Sequence, residues 1–387
     1  MKKTNIILAT TLFVITGCIG KKQSTDTLIT VDVTVNYPKK ELILQDFMDV
    51  EYIALETTDE FLCQGLVKAI GVEIILVANI SAGDIIIFDR NGKGIRKINR
   101  QGRGSEEYLN LNIARIVLDE ENDEIFVNDF YASRILVYDL YGKFKRSFPF
   151  NEGIRYENVY NFDRENLICD DISFRVDRET LDKSPFIIIS KQDGSIVNDI
   201  QIPYKQKKTT MMSRVVEANG TSMTVGSAYR YFPIIPYQDS WILTEPSSDT
   251  VFRFSTNYSM TPFIVRTPSI QSMSPEVFLL PRMLTARYYF METSKKEQEF
   301  PRTDLVYDLQ EKVIYEYILS NGDYSNKKIV DAIQKNINDG IVFWQEIGAD
   351  ELVESYKKGE LKGKLKEVAA ELEDDSNPII MLVKNRK

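Results

Sequence analysis

The stretch Leu76–Ile98, LVANISAGDIIIFDRNGKGIRKI, decides the fold when it is set beside Phe126–Phe148, FVNDFYASRILVYDLYGKFKRSF. The two align without a gap at an offset of 50 residues. Val77 meets Val127, Ile85 meets Ile135, Ile87 meets Val137, and Phe88 meets Tyr138. Asp89, Gly92 and Lys93 meet Asp139, Gly142 and Lys143. Each copy reads as strand, short polar turn, strand, Asp-x-x-Gly turn, strand, with β-branched and aromatic runs bounded by Asn, Asp and Gly. The glycine of the second turn stands where a positive φ is needed that other residues resist.

Fainter copies follow. FIIISKQDGSIVNDI (Phe186–Ile200) keeps the strand and an Asp193-Gly194 turn. Asp249–Phe263 and Asp304–Tyr317 keep strand and turn without the glycine, and NPIIMLVKNRK ends the chain with one more strand. The pivotal strands fall near residues 85, 135, 187, 251, 305 and 379, which makes six units. This period predicts an all-β fold, a six-bladed β-propeller. One antiparallel blade cannot bury both of its apolar faces, whereas blades packed in a ring bury each face against a neighbour. An unclosed ring leaves sheet edges exposed to unwanted pairing. VEYIALE (Val50–Glu56) and IIMLVK (Ile379–Lys384) are therefore expected to share the last blade, closing the circle with strands from both ends of the chain. A solenoid or a sandwich is the structural alternative.

The chain begins with Lys2 and Lys3, an apolar run from Ile6 to Ile15, and then ITGC. That order describes an export signal, too short to span a bilayer. Ile15-Thr16-Gly17-Cys18 resembles a bacterial lipobox, which implies cleavage before Cys18, acylation of that cysteine and a membrane tether. The expected organisation is a signal peptide over 1–17, a flexible tether over 18–40 and a propeller over 41–387. Ile19 offers no acidic retention signal. The expected location is the cell envelope, as an outer-membrane lipoprotein, with its periplasmic or surface orientation open. The other cysteines, Cys63 and Cys169, have no CxxC spacing; two buried thiols are preferred over a disulfide. Histidine is absent, which excludes a histidine base and histidine-ligated metal. The net charge of −9 argues against a nucleic-acid partner.

The run from VEYIALET through FDRNGKGIRKINRQGRGSEEY to FVNDFYASRILVYDLYGKF, with the ending LEDDSNPIIMLVK, resembles the six-bladed β-propeller lipoprotein family of diderm bacteria. That family is distantly related to NHL-repeat propellers. The likeness covers most of the chain and is faint between about 200 and 300. The family's molecular function is largely unassigned, so the resemblance implies fold and address rather than chemistry.

RQGRGSEEY (Arg100–Tyr108) joins the first two copies. It lacks GK[ST] and no helix follows it, so it is a poor phosphate loop. In NHL-like repeats this place holds a Gly-x-Gly-x-Gly-x-aromatic run, from which Ser105 and Glu106 depart. The preferred reading is a connector with Tyr108 packed between blades; the functional reading gives Arg100, Arg103 and Glu107 a ligand on the propeller face. Asn79 and Asp129 occupy equivalent repeat positions just after a strand; they are ligand-binding candidates that could face a channel metal, and their equivalence also fits a plain turn role. SAYRYFPIIPY (Ser227–Tyr237) resists strand assignment; packing between blades is the preferred reading of its aromatics, and a sugar-stacking platform with Tyr229 and Tyr231 is the functional one. DEENDE (Asp119–Glu124) is acidic but lacks calcium-loop spacing, so a solvated hairpin turn is preferred. Leu361, Leu365, Val368 and Leu372 recur at helical steps, which predicts a helical insertion over about 328–376, broken near Gly359 and Gly363.

The preferred function is a non-catalytic binding or scaffold module for a glycan, a peptide or an envelope protein, without a cofactor. The alternative is a calcium-dependent lactonase or lyase of the propeller type, and a third reading is a stabilising subunit with no ligand. Trp241 and Trp344 discriminate: exposed on one face, they favour a glycan binder.

Overall fold

The structure, a computed structural model, describes residues 28–63, 66–112, 114–176, 184–215, 222–227, 232–331, 333 and 340–386. Cys18, Tyr229 and Tyr231 lie outside them.

Six antiparallel sheets follow one another along the chain. Blade 1 holds Leu66–Ile70, Ile74–Asn79, Asp84–Asp89 and Gly94–Asn99, and blade 2 holds Arg115–Asp119, Glu124–Asp129, Arg134–Asp139 and Phe144–Pro149. Blade 3 runs from Tyr156–Asn161 to Ile196–Ile200, blade 4 from Ile234–Tyr237 to Met260–Thr267, and blade 5 from Val277–Leu284 to Val313–Ser320. Blade 6 has three strands, Ile341–Ile347, Ile379–Asn385 and Met48–Ala54. A separate hairpin, Met211–Val215 with Ser222–Ser227, lies between blades 3 and 4 in sequence.

The pleat explains why the pivotal strands are apolar at every position. In DIIIFD, Ile85 and Ile87 face blade 2 while Ile86 and Phe88 face blade 6. In RILVYD, Leu136 and Tyr138 face blade 1 while Ile135 and Val137 face blade 3. A strand buried on both sides loses the usual polar alternation. The same packing repeats between blades 3 and 4, 4 and 5, and 5 and 6. The cluster between blades 6 and 1 returns to the start, so the sheets form a ring and not a solenoid or a sandwich. Closure comes from the two segments expected to supply it: Val383 pairs with Val50, Ile380 with Ile53 and Ile379 with Ala54. The repeated turns match in detail. Asp89 Oδ1 accepts the amides of Asn91 and Lys93, Asp139 Oδ1 accepts those of Tyr141 and Lys143, and Gly92 and Gly142 take φ of +86° and +81°.

Three expectations are corrected. The segment 18–40 is not a free tether throughout. Ile29–Asp32 adds a parallel fifth strand to blade 4, and Lys39–Ile43 adds one to blade 5. Ile29 and Val31 alternate inward between blades 4 and 5, which gives the segment an apolar reason to dock. The insertion is shorter than 328–376. Ile341–Ile347 is the inner strand of blade 6, and the helices are Ala349–Lys357 and Gly363–Ala369. Gly359, at φ +72°, separates them. Leu361, Leu365, Val368 and Leu372 pack on the core between blades 5 and 6. Finally, Ile234–Tyr237 is a strand despite Pro236, because it is the innermost strand of blade 4, where a missing N–H breaks no ladder.

Candidate functional site

The connector Arg100–Tyr108 is built from backbone geometry. Its ends pair across a Gln101–Tyr108 bridge. Tyr108 is fully buried; its hydroxyl donates to Gly83 O (2.8 Å) and accepts the Arg100 amide (3.0 Å). Glu107 Oε2 accepts the Gly104 amide at 2.8 Å, and Arg100 Nε donates to Gly142 O at 2.9 Å. Arg134 clamps the loop from blade 2, donating to the carbonyls of Gly104, Ser105 and Glu107. Asp129 is buried and holds the connector too, accepting the Leu109 amide at 3.0 Å. Asn79 reaches Leu62 O in the segment that leads into blade 1. Arg103 is exposed with no hydrogen-bond or ion-pair partner among the described residues. The structure thus joins Arg100, Glu107, Tyr108 and Asp129 in one blade-to-blade joint. Sequence reasoning placed candidates for ligand binding there, and the geometry engages all four in holding the loop.

DEENDE does form the hairpin turn between the first two strands of blade 2, but its carboxylates are not merely solvated. Glu120 accepts the amides of Val72, Glu73 and Ile74 in blade 1. Glu124 takes a two-point contact from Arg146. Cys63 and Cys169 are buried free thiols, as preferred, and burial pushes the Cys169 thiol well up. Trp241 is buried between blades 3 and 4, and Trp344 between blades 6 and 1, so neither sits on an exposed face.

A different set of residues converges on the axis. A cavity of about 340 Å³ is lined by the inner strands of blades 1, 2, 3 and 6 together with Phe232 and Ile333. Blade 1 supplies Lys68, blade 2 Arg115, blade 3 Asn158 and Tyr160, and blade 6 Trp344 and Glu346. Two inner strands are bulged where they do so. The ladder skips from Val67 to Ala69 at Lys68, and from Tyr156 to Val159 across Asn158. A bulge re-aims the side chain it carries, which is how an apolar strand presents a polar group to a channel.

The charges in this cavity are incompletely matched. Lys68 Nζ makes only long contacts to the carbonyls of Asn112 (3.4 Å) and Ala114 (3.3 Å). Burial, with the Arg115 charge beside it, lowers Lys68 to about 8, although Glu346 opposes this. Arg115 is exposed to the cavity and has no hydrogen-bond or ion-pair partner among the described residues. Glu346 Oε1 accepts the Val67 amide at 3.0 Å, tying blade 6 to blade 1. Behind the wall, Asp170 accepts the Asn158 amide, and burial raises its carboxyl to about 6. Burial also pushes the Tyr160 phenol up to about 12. These residues were legible only as lone cations in apolar runs, Lys68 in LVKAI and Arg115 in ARIVL.

The sequence model of the family DUF5128, described as a 6-bladed β-propeller, matches residues 20–334. The chain belongs to that family. This family member is similar to a Bacteroides fragilis protein described as exported, at 16% identity, a TM-score of 0.61 and coverage of 93% of this chain and 99% of that one. A DUF4221 protein of Bacteroides vulgatus matches at 9% identity and TM-score 0.42 over 88% and 98% of the two chains. A virginiamycin B lyase of Staphylococcus aureus matches at 11% and 0.33 over 66% and 88%. No curated protein matches the sequence. At these identities the likeness to solved structures concerns the fold alone.

A calcium site in this propeller needs several hard oxygen ligands around one point. Among the described residues no three acidic or cysteine side chains converge in that way. Among the described residues that line it, the channel sets Lys68 and Arg115 against the one carboxylate of Glu346, a set that does not fit a divalent cation. Asn79 and Asp129 sit at the ends of second strands, away from the channel lining. No described helix is long and apolar enough to cross a membrane.

Proposed function

We propose that the chain is a non-catalytic binding module of the cell envelope, tethered by acylated Cys18, that takes part of a glycan or peptide into its axial channel. The observation that carries this is the cavity on the axis, where Lys68, Arg115, Asn158 and Glu346 stand among Val67, Ile116, Tyr160 and Trp344. A concave, mostly apolar site with a few convergent polar groups is the usual form of a ligand pocket. The absence of histidine and the misfit of the channel to calcium support binding rather than catalysis. The lipobox and the preceding apolar run support the envelope location.

Leu66 lines the channel and is half exposed, so Leu66→Trp narrows the mouth without entering a blade interface. Leu62→Trp is the control, since Leu62 is also exposed and does not line the channel. Small saccharides and short peptides are titrated in a thermal-shift assay. At least one is expected to raise the melting temperature of the wild type and of Leu62→Trp, and to leave Leu66→Trp unmoved. A shift that survives in Leu66→Trp, or no shift with any compound, overturns the channel as the binding site.

A further inference from the structure

We infer that the axial channel recognises a carboxylate, held between Arg115 of blade 2 and Lys68 of blade 1, on a ligand whose uncharged part lies against Tyr160 and Trp344. This rests on the channel being the binding site.

The inner strands of two neighbouring blades place the two cations in one cavity. Like charges brought together repel, and a protein does so at a cost unless something answers them. Here the guanidinium of Arg115 has no hydrogen-bond or ion-pair partner among the described residues, and the Asp170 carboxyl acts on it only from behind the wall. The ammonium of Lys68 has only the distant carbonyls of Asn112 and Ala114. The lowered proton affinity of Lys68 agrees with that geometry: burial and Arg115 outweigh Glu346. An anion between the two supplies what both lack. A guanidinium offers parallel N–H donors that suit a planar carboxylate, and an ammonium adds a point charge.

The neighbouring carboxyls set the charge of the ligand. Glu346 lines the same cavity and Asp170 stands behind Asn158. They offset part of the two positive charges, so the site suits a single negative charge rather than a phosphate dianion. The remaining wall is apolar or aromatic: Leu66, Val67, Ile116, Val159, Tyr160 and Trp344. Aromatic faces accept both a sugar ring and an apolar side chain. The carboxylate therefore comes from a uronic acid or from the free end of a peptide.

The test uses the full chain and paired probes in calorimetry: D-glucuronate against D-glucose, N-acetyl-L-phenylalanine against its amide, and inorganic phosphate. At least one carboxylate is expected to bind while its neutral partner does not, and the pair that responds identifies the source. Arg115→Gln and Lys68→Gln, checked for folding by circular dichroism, are expected to weaken binding by on the order of 10- to 100-fold, with Lys68→Arg restoring it. Affinity is expected to fall as pH rises through about 8, where Lys68 loses its proton. Bound anion raises the Lys68 proton affinity, so the fall begins near that pH and continues up to the higher value in the complex. Equal binding of neutral partners, stronger binding of phosphate, or indifference to Arg115→Gln overturns the inference. If neutral probes bind and Leu66→Trp abolishes it, the channel stands and only the carboxylate falls. If carboxylates bind Leu66→Trp as well as wild type, the channel falls. No binding of any probe at millimolar concentration overturns both.

Discussion

Lys191 Nζ in blade 3 donates to Asp119 Oδ2 in blade 2 at 2.6 Å, with both side chains almost wholly buried. Neither charge is left short of partners. Lys191 also donates to Asp163 O, and Asp119 accepts from Asn122. Removing one member of a buried pair strands the other, which costs about 3–5 kcal/mol, while replacing both with apolar residues is often close to neutral. Lys191→Met is therefore expected to lose about 3–5 kcal/mol in urea unfolding, and Asp119→Leu with Lys191→Met together to lose less than either alone. A double variant as unstable as the sum of the singles contradicts a specific pair.

How far the sequence went is clear from residues like these. Asp119 and Glu120 were readable as a turn, because acidic residues between two apolar runs mark a hairpin. Their partners, Lys191 and the amides of Val72–Ile74, lie on other blades and leave no mark in local spacing. The ring itself was legible, since Ile85 and Ile135 repeat the same environment and repetition is a one-dimensional signal. Tyr108 was legible from the connector run it ends, where NHL-like repeats carry an aromatic residue. The axial cavity was not. Its polar residues come from the innermost strands of blades 1, 2, 3 and 6, the least regular part of each repeat, and two of them ride on bulges that shift the alternation. The docking of Ile29 and Val31 was readable in the alternation of ITVD but was masked by the polar run before it.

Asn377 ties the end of the chain to its beginning. It is buried, its Oδ1 accepts the Cys63 amide at 2.8 Å, and its Nδ2 donates to Glu56 O (2.7 Å) and Phe61 O (2.9 Å). Asn377→Leu leaves one buried donor and two carbonyls without partners, which costs roughly 1–3 kcal/mol for each group that water cannot reach. The expected loss is at least 2 kcal/mol in the unfolding free energy, on the same reasoning. Hydrogen exchange should show the excess opening at residues 56–63 and in Ile379–Asn385 before blades 2 to 4. Uniform acceleration across all blades argues against a local clasp.

The added strands make a sharper prediction about the N-terminal side. Ile29–Asp32 covers the outer strand of blade 4, and Ile29 and Val31 fill the core between blades 4 and 5. A chain shortened to begin at Tyr37 exposes the edge of Met260–Thr267 and empties that space. It is expected to melt several degrees lower and to self-associate through the bared edge, read by light scattering. Retained stability with a monomeric profile shows the strand to be dispensable. If Cys18 is acylated as proposed, the backbone from it to Leu28 reaches at most roughly 35 Å, which would keep the rim of blade 4 within that distance of the bilayer.

Lys68 links stability to pH in a direction that can be worked out. Its folded-state proton affinity is lowered from 10.5 to about 8, with burial as the main cause and Arg115 as the second. A group depressed in this way contributes stability above its unfolded value and loses it as pH falls through its folded value. At pH 7 the charged ammonium is therefore held at a cost, which Lys68→Met removes. The variant is expected to be more stable than wild type at pH 7 by about 1–2 kcal/mol, allowing for water in the channel. The difference should shrink as pH rises from about 8 and vanish near 10.5. Asp170 runs the other way: its carboxyl is raised from 3.8 to about 6 by burial, so its stabilising contribution is complete below 3.8 and lost as pH rises through about 6. The two windows do not overlap, so urea denaturation of wild type and Lys68→Met between pH 7 and 10.5 isolates the lysine. A stability difference that stays constant across that range means Lys68 is solvated and unstrained, and removes the electrostatic reason for an anion on the axis.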